Sequence, residues 1–293
     1  MPKYTAIAII YNPNSTGSSE AMAKELKQSL EQKMSGAAIK LVATKHAGHA
    51  VELAKKIAKD SKRPLIISSS GDGGYHEVIN GVMQAGNSQA ICAVLPAGNA
   101  NDHSRTMQDR PLAHSIIKGT VTKIDLIKVT IKAAGKQKVT YAHSYVGLGL
   151  TPIVATELNK TDLNALKEAW LAVKTFMKYR PFKIEHNGKV LQLDSLLFAN
   201  INQMAKVLTL AKKNRPDDGK FEIIQFPARR KWQLIGRLAK AATTTLENPE
   251  RSDSCDFITI KKMPMQLDGE VVKLQTGTKV LVESAHRVLK TIV

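Results

Sequence analysis

A change of hydrophobic period near residue 125 limits most strongly how this chain can fold. Before it, short apolar runs at 6–11, 38–43, 64–69 and 90–95 alternate with segments whose apolar residues recur at helical spacing. Residues 19–34 place Ala23, Leu26, Leu30 and Met34 on one face, with Gly36 beyond the end. Residues 48–59 do the same with Ala50, Ala54, Ile57 and Ala58, and residues 74–85 with Val78, Ile79, Val82 and Met83. Strands and helices alternating in this way predict a parallel sheet covered by helices. Ligands of such sheets bind at the carboxyl ends of the strands, so chemistry is expected in the loops that follow them.

After Asp125 the pattern becomes alternation of period two with tight turns. Ala134-Gly135 separates two strands, and Asn187-Gly188 is the strongest hairpin signal in the chain. Strands are expected at 139–146, 190–200, 221–226, 256–262, 270–275 and 279–284, interrupted by helical stretches at 161–178 and 231–246. The expectation is an α/β domain over residues 1–127 and a mainly antiparallel β domain over 128–293, with the last segment able to return to the first. There is no internal repeat and no low-complexity linker.

The 293 residues are 43% hydrophobic and 23% charged, a globular balance. No apolar run approaches the roughly 18 residues needed to cross a bilayer. Ala6-Ile7-Ala8-Ile9-Ile10 stops at Asn12-Pro13 and reads as a strand rather than a signal peptide. Two cysteines, Cys92 and Cys255, exclude a disulfide framework and an all-Cys zinc site and point to a reducing cytoplasm. Forty-three Lys plus Arg against 25 Asp plus Glu leave a charge of +18, and residues 161–240 hold 16 of the cations and 7 of the acids. Nucleic acid, anionic lipid and a polyphosphate ligand could each want that excess. Aromatics at 5%, with no zinc-finger, RNP or helix-turn-helix signature, argue against nucleic acid. Arg229-Arg230-Lys231-Trp232 opens a helical pattern in which Trp232, Ile235, Leu238 and Ala239 recur, with Arg237 and Lys240 between them and no acid from Ala228 to Lys240. Such a helix either lies in a lipid interface or packs on a core with a solvated basic face. Leu163, Leu166, Trp170, Val173 and Met177, with Lys167, Lys174 and Lys178, pose the same choice.

Three loops carry chemistry. Asn12-Pro13-Asn14-Ser15-Thr16-Gly17 after the first strand offers amides and a helix N-terminus to an anion, and is also what a capping turn looks like. Ser70-Gly71-Asp72-Gly73-Gly74 after the third strand is sharper: glycines bring amides close to a phosphate, and an acid among them calls for a cation between, as with a nucleotide phosphate and Mg²⁺. Pro96-Ala97-Gly98-Asn99-Ala100-Asn101-Asp102 after the fourth repeats the theme. Neither a Walker A loop nor a GxGxxG fingerprint is present. Near the other end, Gln266-Leu267-Asp268-Gly269-Glu270 reads either as a hairpin turn or as a general base, Asp268, with Glu270 tuning it.

Together these segments resemble the diacylglycerol kinase catalytic family, most closely its soluble bacterial lipid kinases. The family's NPxSG is similar to Asn12-Pro13-Asn14-Ser15-Thr16, with Gly17 displaced by one; its GGDGTxxEVxNG to Ser70-Gly71-Asp72-Gly73-Gly74-Tyr75-His76-Glu77-Val78-Ile79-Asn80-Gly81; and its PxGTxNDFAR to Pro96 through Arg105. Thr44 precedes His49-Ala50-Val51-Glu52-Leu53-Ala54 as the family's Thr precedes its helix, and Asp125, Gly147-Leu148-Gly149 and Asp268-Gly269-Glu270 follow in order. The resemblance implies an N-terminal nucleotide domain of the NAD kinase/diacylglycerol kinase kind, a C-terminal antiparallel β-sandwich, and an active site in the cleft between them. It implies ATP on Asn12, Pro13, Asn14, Ser15, Thr16, Thr44, Gly71, Asp72, Gly73, Gly74, Glu77, Gly98, Asn99 and Asn101. Asp72, Asp102 and Asp125 would form the network around the catalytic Mg²⁺, Asp268 would be the base with Glu270 as partner, and Asp218 with the carbonyls of Phe221 and Ile223 would hold a structural Mg²⁺.

The chain departs from the family at several points. Gly74 and Asn99 replace threonines, Ala205-Lys206-Val207-Leu208 replaces a glycine-rich segment, and Thr151-Pro152 stands for an Asp-Ala pair. The expected protein is an ATP- and Mg²⁺-dependent lipid kinase, cytoplasmic and peripheral to an anionic membrane through Arg229, Arg230, Lys231, Trp232 and Arg237, with room for a homodimer and no nucleic-acid partner. The alternatives are a kinase of a soluble alcohol and a catalytically weak lipid-binding regulator. Five acids held in pattern argue against the second.

Overall fold

β1 (Ala6–Tyr11) is an apolar strand whose Ile7, Ala8, Ile9 and Ile10 are all buried, as a central parallel strand covered on both faces requires. It is followed by α1 (Ser19–Lys33), β2 (Ile39–Ala43), α2 (His49–Asp60), β3 (Pro64–Ser70), α3 (Asp72–Ala85), β4 (Ile91–Pro96), α4 (Asp102–Met107), α5 (Leu112–Lys118) and β5 (Val121–Ala133). The computed structural model describes residues 3–15, 18–34, 38–99, 101–149, 180–204, 208–209, 215–228 and 249–293. It separates the chain into one unit of Met1–Leu126 with His286–Val293 and another of Ile127–Ala285.

In the first unit the strands run parallel in the order β2, β1, β3, β4, and Lys290 and Thr291 of a later strand pair in parallel with Ile91 and Cys92. Alternate residues divide the sheet between two layers. Ile7, Ile9, Leu65, Ile67, Ile91 and Ala93 pack with Ala23, Leu26 and Leu30 of α1 and with Leu112 and Ile116 of α5. Ala23, Leu26 and Leu30 share a helix face by their spacing, and Glu20 to Lys24 adds an i,i+4 ion pair on the outside. Ala8, Ile10, Ile66 and Cys92 are buried on the other face, the side of α2 and α3. Those two helices pack closely because Gly81 has no side chain: a Cβ there would lie 2.4 Å from the Val51 carbonyl oxygen and 2.8 Å from Ala54 Cβ.

The second unit is antiparallel. Its strands are the later part of β5, then β6 (Lys136–Ala142), β7 (Tyr145–Gly149), β8 (Phe182–His186), β9 (Lys189–Ala199), β10 (Gln203–Met204), β11 (Leu208–Thr209), β12 (Phe221–Pro227), β13 (Glu250–Ser252), β14 (Ser254–Thr259), β15 (Met263–Leu267), β16 (Glu270–Leu274) and the first half of β17 (Lys279–Ile292). β9 is the hub, paired with β7, β8 and β12. Val146, Leu148, Leu196, Phe198, Met265 and Leu267 face one core, where Phe198 meets Phe221 edge-on at 5.7 Å and stacks on Phe257 at 6.5 Å. Ala134-Gly135 and Asn187-Gly188 take positive φ at both positions, the geometry of the tight hairpins expected there.

The α/β plus β fold class expected from the sequence is the one the chain adopts. Some elements differ. The strand expected over 139–146 is two, β6 and β7, because the main-chain amides of His143 and Ser144 bond the Asp268 carboxylate. α3 begins at Asp72, so Gly73 and Gly74 form a helical first turn. The short helices α4 and α5 were not expected, and β17 runs on to Ile292. Cys92 is buried, Cys255 half-buried, and both thiols are free. Among the described residues no helix is long and apolar enough to cross a membrane. Thr16, Gly17, Thr151-Pro152, Ala205 to Val207, both basic helical patterns, and Arg229, Arg230, Lys231, Trp232 and Arg237 lie outside the described residues.

Candidate active site

The strand order puts β1 between β2 and β3, so the connections after β1 and β3 leave in opposite directions across the sheet. A crevice opens at the carboxyl ends of strands where this happens. Asn12 to Ser15 and Ser70 to Gly74 occupy those ends, with Tyr11 in register with Ser69 and with Ala43. Thr44 is tied there by its amide, which donates to the Tyr11 carbonyl at 2.8 Å. Asn12 closes its own turn: its side-chain oxygen accepts the Asn14 amide at 2.9 Å. The start of α1 is locked to β3 by a reciprocal pair, Ser19 hydroxyl to Ser69 carbonyl and Ser69 hydroxyl to Ser19 carbonyl, the latter at 2.7 Å.

The loops after β3 and β4 touch through glycine. A Cβ on Gly98 would lie 2.4 Å from Gly71 Cα and 3.0 Å from Gly71 N, so no side chain fits at 98 with the loops in place. Asn101, in the left-handed region at φ +51°, clamps the second loop by accepting the Gly98 amide at 3.0 Å and donating to the Gly98 carbonyl at 2.6 Å. Asp72 joins the two loops. Its carboxylate accepts the amides of Asp102, at 3.0 Å, and His103, at 3.2 Å, the first two of α4. Asp102 is fully buried and pairs with the Arg105 guanidinium. Asp72 is thereby tied to the backbone that carries Asp102, while the Asp102 side chain is engaged by Arg105. Carboxylate oxygens are the hard donors Mg²⁺ takes, and Asp72, Asp102 and Asp125 are the residues that would hold it.

Other expected residues have different surroundings. Asp125, 1% exposed on β5, accepts the Arg287 amide at 2.7 Å and lies 2.9 Å from His286 Nδ1. Arg287 has φ +49°, so the carboxylate supports an irregularity in β17. Glu77 turns toward α2 and accepts the amides of Gly48 at 3.1 Å and Ala50 at 3.2 Å, capping that helix. In the second unit, Asp268 and Gly269 are the turn joining β15 to β16. The Asp268 side chain is fully buried and accepts three amides, from His143 at 2.7 Å, Ser144 at 2.8 Å and Tyr145 at 3.0 Å. His143 links it to Ser144: Nε2 is 3.6 Å from Asp268 Oδ2 and Nδ1 is 2.7 Å from Ser144 Oγ. Glu270 is exposed.

Asp218 is ion-paired in this structure. One oxygen accepts the Lys220 amide at 3.2 Å and the other is taken by the Arg251 guanidinium, whose Nε also lies 3.3 Å from Glu222 Oε1. Glu222 is buried, which pushes its carboxyl up to about 7 against the opposing pull of Arg251. Phe221 and Ile223 pair with Ser252 and Glu250 on β13, which also carries Arg251. Arg251 thus faces both Asp218 and Glu222.

Sequence reasoning missed several partners: the Ser19 and Ser69 pair, His286 and Arg287 on Asp125, and the His143 to Tyr145 turn on Asp268. Only Arg105 carried a local signal, three residues after Asp102 on one helix.

Residues 6–129 match the family model of the diacylglycerol kinase catalytic domain. A diacylglycerol kinase of Bacillus subtilis (strain 168) is 29% identical over 285 residues, spanning 89% of this chain and 88% of its own. One of Staphylococcus carnosus (strain TM300) is 28% identical over 279 residues, spanning 89% and 87%. A crystal structure of a diacylglycerol kinase from Bacillus anthracis str. Sterne covers 100% of this chain and 98% of its own at a TM-score of 0.72; at 20% identity that likeness establishes the fold. Residues 6–129 thus match the diacylglycerol kinase catalytic domain, and over most of its length the chain is similar to diacylglycerol kinases, phosphotransferases with an alcohol acceptor.

Proposed function

We propose that this protein is an ATP- and Mg²⁺-dependent lipid kinase that moves the γ-phosphate of ATP to the hydroxyl of diacylglycerol or a related lipid at an anionic membrane surface. The observation that carries the reading is the contact of Gly71 with Gly98 at the strand ends, with Asp72 bridging both loops. Glycines there admit a phosphate chain to the main-chain amides, and Asp72 and Asn101 fix the loops beforehand, so little ordering remains for the reaction. Mg²⁺ held by Asp72, Asp102 and Asp125 would neutralise charge on the transferring phosphoryl group. Asn12 to Ser15 and Thr44 stand at the same strand ends and, with Thr16, are assigned to the nucleotide. Asp268, with Glu270, is assigned the proton of the acceptor hydroxyl, and His143 Nε2 stands 3.6 Å from Asp268 Oδ2. Arg229, Arg230, Lys231, Trp232 and Arg237 are assigned to the lipid surface.

The test is phosphate transfer from ATP in mixed micelles to diacylglycerol, monoacylglycerol, a sphingoid base or phosphatidylglycerol, with NAD as a soluble acceptor. Transfer to a lipid, lost in Asp72→Asn, and salt-sensitive pelleting with anionic vesicles are expected. Phosphorylation of NAD but of no lipid would refute the reading.

A further inference from the structure

A second cluster of ligating side chains stands apart from the carboxylates around Asp72. His46, His49 and Glu52 bring one donor atom each to within 4.8 Å of one another. Local geometry explains the meeting. His49 and Glu52 lie three residues apart in the first turn of α2 and share its face. Gly48, at φ +81°, reverses the chain just before the helix and lays the His46 ring on that of His49, with centroids 4.8 Å apart and planes 26° apart. The positive end of α2 would oppose a cation, but Glu77 already places its carboxylate on the amides of Gly48 and Ala50 there. The frame is therefore held from below by α3, while His46 and Glu52 are exposed to an arriving ion.

We propose that His46, His49 and Glu52 form a binding site for a divalent transition metal of the zinc or cobalt type. Two imidazoles and one carboxylate select such ions over Mg²⁺, which prefers an all-oxygen shell. His46 is set for the role: its Nδ1 lies 3.0 Å from the Ala47 carbonyl oxygen, and donating a proton there leaves Nε2 as the lone-pair nitrogen. His49 adds a coupling. Its Nδ1 accepts the Lys45 amide at 3.0 Å. A metal bound at Nε2 transfers the ring proton to Nδ1 and ends that bond, and a metal bound at Nδ1 displaces the amide directly. Metal and Lys45 amide therefore exclude each other, so occupancy releases the main chain next to Thr44.

Tag-free protein titrated with Co²⁺ is expected to develop visible d–d absorption that saturates at one equivalent and is lost when Zn²⁺ is added. His46→Ala and Glu52→Gln change exposed side chains and should leave the far-ultraviolet dichroism unaltered while weakening Co²⁺ binding about tenfold or more. Hydrogen exchange at the Lys45 amide should accelerate on adding Zn²⁺ to the parent protein and not to His46→Ala. Equal Co²⁺ affinity in the parent and both variants overturns the site. A Lys45 amide indifferent to saturating Zn²⁺ overturns the coupling.

Discussion

Ser70 fills the space that a side chain at position 74 would need: a Cβ on Gly74 would lie 2.6 Å from both Cβ and Oγ of Ser70. The family pattern has glycine at the first of these positions and threonine at the second, so this chain carries the exchange as a matched pair. The hydroxyl has moved from the first turn of α3 to the end of β3, where Ser70 Oγ bonds Ser68 Oγ at 2.7 Å and the Gly71 carbonyl at 3.0 Å. Gly74→Thr alone should cost about 1–3 kcal/mol by overpacking. The double variant Ser70→Gly, Gly74→Thr should recover most of that loss. Thermal melts of the two singles and the double form the cycle, and a double variant as unstable as Gly74→Thr would show that Ser70 is not the obstacle.

Gly98 and Gly71 face each other but are not equivalent. A Cβ on Gly98 meets Gly71 Cα at 2.4 Å, whereas one on Gly71 meets Gly98 Cα at 3.2 Å. Gly98→Ala should therefore lower ATP turnover and stability more than Gly71→Ala does. Side-by-side kinetics and melting curves check the ranking.

Asp268→Asn is expected to destabilise as well as inactivate. An amide keeps one accepting oxygen but turns an N–H₂ toward amides that also donate, so at least one of the three bonds from His143, Ser144 and Tyr145 is lost, at about 1–3 kcal/mol. Glu270→Gln changes an exposed group and should leave the melting temperature unaltered. Chemical denaturation of both, run beside turnover, separates a folding defect from a catalytic one.

Because Arg251 already neutralises Asp218, chelation should not lower the stability of the second unit. Calorimetric melts with and without EDTA are expected to superimpose in the Ile127–Ala285 transition. Arg251→Ala, which leaves Glu222 buried without its guanidinium, should cost about 1–2 kcal/mol, a figure reduced by the partial exposure of the arginine.

Glu222 sets a pH dependence of definite sign. Its carboxyl is raised to about 7 in the folded chain from 4.5, so between those values the native state holds a proton that the unfolded state has lost. Its contribution to stability is full at low pH and falls as pH rises through that window, by roughly 3 kcal/mol at most. Melting temperatures from pH 4 to 8 should show the decline, and Glu222→Gln should flatten it.

Much of the first unit was legible because its signals are local. Apolar runs the length of a strand, and Ala23, Leu26 and Leu30 at helical spacing, need only a few neighbouring residues to be read. The glycines of the two loops were visible too, but not their purpose: that Gly98 must yield to Gly71 depends on two strands standing side by side. Asp268 shows the same limit. Its neighbour Gly269 announces a turn, while the amides that occupy its carboxylate come from residues more than a hundred positions away. The strand expected across 139–146 failed for that reason, since nothing near His143 says that its amide will leave the ladder. The pairing of Asp218 with Arg251 was equally hidden, since the arginine sits 33 residues later on β13.

The parallel pairing of Lys290 and Thr291 with β4 carries a consequence for the order of events during synthesis. Tyr75, fully buried in α3, bonds its hydroxyl to Thr291 Oγ1 at 3.0 Å, a partner 216 residues downstream. A nascent chain that has emitted the first 126 residues can pair β1 to β4 but must leave one flank of that sheet open, with Thr291 not yet beside Tyr75, until the whole of the second unit has emerged. The first unit to be made is thus the last to be finished.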